Sequence, residues 1–117
     1  MDTNSRRFGG YSTQSWGESS AGANYARAPG SFIFNLSNKA KFNLIDPLNT
    51  NAIYRNKSYG PTFGGGNDLY IANSCKSNSS SSCCKSSYNT GNNNLLGGSS
   101  STSFQVTYYE VYKVEFL

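Results

Sequence analysis

Tyr59-Gly60-Pro61-Thr62-Phe63-Gly64-Gly65-Gly66-Asn67-Asp68-Leu69-Tyr70-Ile71-Ala72-Asn73 is the stretch around which the rest of the chain is organised. Gly60-Pro61 is a turn signal, and three consecutive glycines free the backbone for positive φ or for passage close against another segment. Glycine loses more backbone freedom on folding than any other residue, so ordering three in a row is costly. A chain that keeps them needs a geometry there that side chains would forbid, and a tight strand-to-strand corner supplies one. Beyond the corner, Leu69 and Ile71 alternate with Tyr70 and Ala72 as in a short strand.

Working outward, Ser31-Phe32-Ile33-Phe34-Asn35-Leu36 places Phe32, Phe34 and Leu36 on one face, and Phe42 with Leu44 repeats the pattern after a short polar turn. Two such runs predict an antiparallel hairpin with one face buried. Asp46-Pro47 ends its second strand, and Ala52 to Asn56 reads as another short strand. Phe8 to Ser12 is a candidate strand in which Gly9 and Gly10 mark a bulge or close approach. Trp16, the only tryptophan, reads as an anchor on the core. Residues 74–94 are rich in Ser, Asn and Cys and too poor in apolar surface to offset the cost of ordering, so a flexible surface loop is expected there. Leu95-Leu96-Gly97-Gly98 returns to the core. The last strand is expected from Phe104 to Leu117, with Glu110 on its apolar parity. That placement calls for a bulge or exposed edge, a satisfied inward carboxylate, or an active-site group. The helical period is almost absent, and short strands separated by Gly, Pro and Asn favour an antiparallel sandwich or barrel.

With 117 residues the chain is a single domain at most. Hydrophobic residues make up only 36%, so the core must lean on the rings of seven Phe, nine Tyr and one Trp. The net charge of +4 is spread along the chain; Lys39, Lys41, Arg55 and Lys57 read as a solvated face, and no basic stripe interleaved with aromatics points to nucleic acid. No apolar run approaches the roughly 20 residues that span a bilayer, and the polar stretch 1–7 has no apolar segment behind it. Neither secretion nor membrane insertion is expected.

The chain has no histidine, which removes Ser-His-Asp and Cys-His schemes and most zinc sites. Cys75, Cys83 and Cys84 lack a paired Cys-x-x-Cys, and in a cytosolic chain they read as free thiols, with redox or metal roles as the alternatives. The glycine run has no lysine after it and fits neither phosphate-loop pattern. Asp46, Asp68, Glu110 and Glu115 are not brought together by spacing, and Asp46 and Asp68 sit where Asp often bonds local backbone. No catalytic residue, cofactor site or metal site is assigned, and no enzymatic activity is expected.

Several blocks resemble one family in its own order: Phe8-Gly-Gly-Tyr-Ser-Thr-Gln-Ser-Trp16, Ser31-Phe-Ile-Phe-Asn-Leu36, Gly60-Pro-Thr-Phe-Gly-Gly-Gly-Asn-Asp-Leu-Tyr-Ile71, Leu95-Leu-Gly-Gly98 and Tyr109-Glu-Val-Tyr112 look like the TLDc domain. The glycine and tryptophan blocks are the specific ones. The resemblance implies a two-sheet antiparallel β-sandwich with peripheral helices, here as one partial domain over 1–117 that lacks the family's N-terminal part. It also implies a non-catalytic interaction module of oxidation-resistance proteins. Its protein partner would be the vacuolar-type proton ATPase, and its location cytoplasmic, peripheral to vacuolar or endosomal membranes through that partner. Carried over as structurally required are Gly9, Gly10, Trp16, Gly64, Gly65, Gly66, Asp68 and Glu110. A small-molecule or glycan-binding sandwich using Trp16 and Tyr70 stands as the alternative.

Overall fold

The computed structural model describes residues 1–16, 24–83, 87–89, 95–96 and 103–115. Short runs, each but β8 carrying at least one aromatic ring, form β1 (Phe8–Tyr11), β2 (Asn24–Ala26), β3 (Phe32–Asn35), β4 (Ala40–Asn43), β5 (Ile53–Arg55), β6 (Tyr59–Phe63), β7 (Leu69–Ala72), β8 (Ser81–Cys83) and β9 (Ser103–Phe104). They make a three-stranded sheet in the order β1-β3-β4 and a six-stranded sheet in the order β2-β5-β6-β7-β8-β9. Every pairing between these strands is antiparallel. Ile33 and Phe42 from the first sheet share one core with Ile53, Phe63, Leu69, Cys83 and Phe104 from the second. The expected mainly β sandwich is therefore present, but the implied peripheral helices are not: no described residue is helical.

The β3–β4 hairpin forms as expected and buries Phe42 and Leu44, but β3 turns its opposite face inward. Ile33 and Asn35 are buried, Phe32 and Phe34 are half-buried on the outer face, and Leu36 is 61% exposed in the turn. Asn35 can face the core because its amide is satisfied, donating to the Leu95 carbonyl at 2.7 Å and accepting from the Asn38 N–H at 2.9 Å. The paired glycines of β1 complete the explanation. The Phe34 ring covers Gly9, where a Cβ would lie 2.9 Å from the ring, and the Phe63 ring occupies the corresponding space beside Gly10. The two rings lie against neighbouring residues whose side chains would point to opposite faces of the strand. Phe8, half-buried, meets Phe104 of the other sheet edge-on at 4.8 Å.

Gly60-Pro61 is not a turn but the middle of β6. The register shifts between Tyr59 and Thr62, which is where a sheet tolerates proline, and a Cβ on Gly60 would run into the Ile71 carbonyl. The stretch 74–94, expected as a loop, contributes β8: Ser81 and Cys83 are buried, and the Ser81 hydroxyl accepts the Ala72 N–H at 3.0 Å. Backbone pairing with β7 supplies an order that composition alone does not reveal. The expected long last strand is correspondingly short. After β9, Val106 bridges Asp2, and residues 108–115 leave the sheet with Tyr108, Tyr109, Val111, Tyr112 and Val114 exposed.

Candidate functional site

Gly64 to Asn67 make the corner between β6 and β7. Gly64 has φ of +87° and Asn67 of +61°, the left-handed region that glycine and asparagine tolerate best. The Gly64 N–H donates to the Ala52 carbonyl at 2.8 Å, and the Gly65 N–H to the Ser87 hydroxyl at 2.9 Å. Gly65 and Gly66 have ordinary φ and are exposed, so the positive φ resides in Gly64 rather than in Gly65.

Asp68 lies beneath this corner, fully buried. A Cβ on Gly64 would fall on its carboxyl group, so glycine makes room for the carboxylate. One oxygen, Oδ2, accepts the backbone N–H groups of Ser87 and Tyr88, each at 2.9 Å. The other, Oδ1, has no partner. Burial raises the Asp68 pKa above the usual aspartate value, opposed by the N–H groups of Tyr88 and Ser87. Burial, followed by the nearby Asp68 charge, also pushes the Tyr88 phenol well up, and its hydroxyl donates to the Ala52 carbonyl at 2.8 Å. Asp68 thus bonds distant backbone, not the local backbone expected.

The segment held by Asp68 also pairs with the other sheet. Leu44 bridges Tyr88, the Asn89 N–H reaches the Asn43 carbonyl at 2.8 Å, and the Ile45 N–H reaches the Ser87 carbonyl at 3.1 Å. Residues 87–89 therefore run along the end of β4 while Asp68, from the second sheet, grips them from the other side. Trp16 adds a third tie: its indole N–H donates to the Thr62 carbonyl at 3.1 Å, and its ring meets Phe63 edge-on at 5.0 Å. Chemically this is a latch between sheets, built from a buried carboxylate, backbone N–H groups, a serine hydroxyl and a phenol.

Of the positions carried over from the sequence, Gly10, Trp16, Gly64 and Asp68 converge on Phe63 and its corner, with Gly65 and Gly66 in the turn itself and Gly9 on the far side of β1. Glu110 is elsewhere. It lies exposed in the C-terminal segment, accepts hydrogen bonds from Tyr108 and Tyr112, and is held below the usual glutamate pKa by those bonds. Asp46 accepts the Leu48 N–H at 2.9 Å and Glu115 pairs with Lys113, so the carboxylates stay apart. No group of three or more metal-ligating side chains occurs among the described residues.

The model of the TLDc domain family matches residues 1–115. The chain belongs to the TLDc domain family. No curated protein and no solved structure gives a significant match.

Three features of this TLDc chain escaped sequence reasoning. Ser87 and Tyr88 complete the latch from within the stretch taken for a loop; a lone tyrosine in a serine-rich run was the available signal. Asp2, 1% exposed, binds Arg6 through its side chain and accepts the Asn4 and Arg6 N–H groups. The third is a row of tyrosines across four adjacent strands of the larger sheet. Tyr25 and Tyr54 lie 4.8 Å apart, Tyr54 and Tyr59 5.3 Å, and Tyr59 and Tyr70 4.8 Å. Alternation of Tyr54 with buried Ile53, and of Tyr70 with buried Leu69, was its signal. The cysteines divide: Cys75 is a buried free thiol, whereas Cys83 is disulfide-bonded, contrary to the expectation of free thiols throughout. Cys84 lies outside the described residues.

Proposed function

We propose that the chain is a non-catalytic interaction module of the TLDc type, which acts in oxidative-stress resistance by binding the vacuolar-type proton ATPase. The family match over residues 1–115 carries this reading. The module works in the cytoplasm, reaching vacuolar or endosomal membranes through its partner. The Asp68 latch supports it indirectly, because its buried polar groups serve to hold two sheets together and to present their outer faces rigidly. The test is capture of purified proton ATPase by immobilised chain, with Gly64→Val as the unfolded control. Specific recovery of ATPase subunits is expected; equal recovery by chain and control, or none, rejects the partner.

The tyrosine row favours a second reading, a glycan-binding sandwich. Rings on an outer sheet face can stack against sugar rings, and two of these, Tyr25 and Tyr59, are well exposed. Trp16 would not take part, since it is committed to Phe63 and Thr62. Saturable binding on a glycan array, lost in Tyr54→Ala, would support this reading; a blank array removes it.

A further inference from the structure

The outer face of the smaller sheet carries a shallow apolar groove of about 390 Å³, lined by Phe32, Phe34, Leu36, Lys39, Ala40 and Lys41 together with Asn35. The rings of Phe32 and Phe34 are 6.2 Å apart, and the Lys41 ammonium stands 4.2 Å above Phe32. Lys39 and Lys41 are both exposed, and no carboxylate lines the groove. Its repeating unit is thus two aromatic rings two residues apart with a cation beside them.

Residues 108–115 present the complementary unit. The segment has no strand partner, and Tyr108, Glu110 and Tyr112 share one parity along it. Both phenols donate to Glu110, so one carboxylate is held between two rings. Val111 is 80% exposed, more than any other large apolar side chain described. An extended chain advances about 6.5–7 Å every two residues, which matches the spacing of the Phe32 and Phe34 rings. Glu115 is paired with Lys113 inside the segment, which leaves Glu110 to supply the charge that Lys39 and Lys41 lack around the groove.

We infer that this groove is the docking site for the 108–115 segment of a second copy of the chain, exchanged reciprocally in a two-fold dimer. Glu110 meets Lys41, which stands over Phe32, while Tyr112, two residues on, lies on Phe34. Isologous exchange closes on itself, so assembly stops at two copies. Desolvation strengthens the ion pairs beyond what exposed pairs contribute, so reversing one charge weakens the dimer by roughly tenfold or more.

Sedimentation equilibrium of the full chain over a wide concentration range tests this. A monomer–dimer equilibrium is expected. Lys41→Glu should weaken it, and Lys41→Glu combined with Glu110→Lys should restore it. A chain ending at Tyr109 keeps the Tyr108 and Thr107 bonds to Met1 and the Tyr109 contact with Lys76, yet loses the docking segment. It should be monomeric alone and form a mixed dimer with the Lys41→Glu chain, which supplies a segment to its intact groove. Circular dichroism shows whether each variant is folded. A chain monomeric at every concentration overturns the inference, as does a dimer that survives the truncation or a charge exchange that fails to rescue folded protein.

Discussion

At Gly64 the backbone has φ of +87° and a Cβ would be driven into the Asp68 carboxyl, whereas at Gly65 φ is ordinary and a Cβ would lie 3.1 Å from the Asn51 Cβ. Substitution at the two positions should therefore differ sharply. Gly64→Val is expected to cost about 3 kcal/mol or more, enough to unfold a domain of ordinary stability, and Gly65→Ala about 1 kcal/mol. Urea titrations of the two variants measure the difference. Asp68 gives a pH signature. Its folded pKa is raised above the ordinary value of 3.8, so the stability it contributes is complete below that pH and is lost as pH rises through the elevated value. Asp68→Asn keeps an acceptor for Ser87 and Tyr88 but does not titrate. Melting temperatures of the chain should accordingly fall relative to Asp68→Asn as pH rises from 4 toward neutrality, and parallel curves would show that the carboxyl is not desolvated. The glycine run announced a special corner in the sequence. Which glycine bears the strain was not legible, because that is decided by a carboxyl group four residues on and by backbone from residues 87–88.

Among the elements, β8 is the one that composition argued against. Serine-rich sequence lacks apolar surface, but Ser81 side-chain oxygen replaces a ladder acceptor for Ala72, and Cys83 packs into the core. Ser81→Val leaves the Ala72 N–H without that acceptor and is expected to cost about 1–3 kcal/mol. Hydrogen exchange should show the amides of residues 81–83 protected along with β7, and fast exchange there would mean that β8 is frayed in solution. The β3–β4 hairpin and the inward Phe42 and Leu44 were legible from alternation, but the inward face of β3 was not. Parity cannot distinguish a run of Phe from a run of Ile and Asn when a distant carbonyl, that of Leu95, satisfies the asparagine. Trp16 was legible as an anchor because its size and amphipathic ring fit few other roles. Trp16→Phe, which keeps the ring but deletes the N–H to Thr62, should cost about 1 kcal/mol in the same titration.

Across the whole molecule, two separate devices tie distant parts together. The Asp68 latch joins the sheets, and the Asp2–Val106 bridge with the Met1 N-terminal amine on the Tyr108 carbonyl at 2.8 Å joins the first residues to those after β9. Asp2 is buried against Arg6, and Asp2→Ala, which leaves that guanidinium without its partner, is expected to cost about 3 kcal/mol. Such long-range ties explain why the β class and the family were readable from local runs while the sheet order was not: no local pattern encodes that residues 87–89 must lie between β4 and Asp68. The tyrosine row has a further consequence of this kind. Four phenols at about 5 Å from ring to ring share their electronic transitions, so Tyr25, Tyr54, Tyr59 and Tyr70 act as one asymmetric chromophore stretched over β2, β5, β6 and β7. Its coupled contribution to the near-ultraviolet dichroism, beside those of Trp16 and the five other tyrosines, is lost when the larger sheet opens, so the protein carries a built-in optical reporter of that sheet.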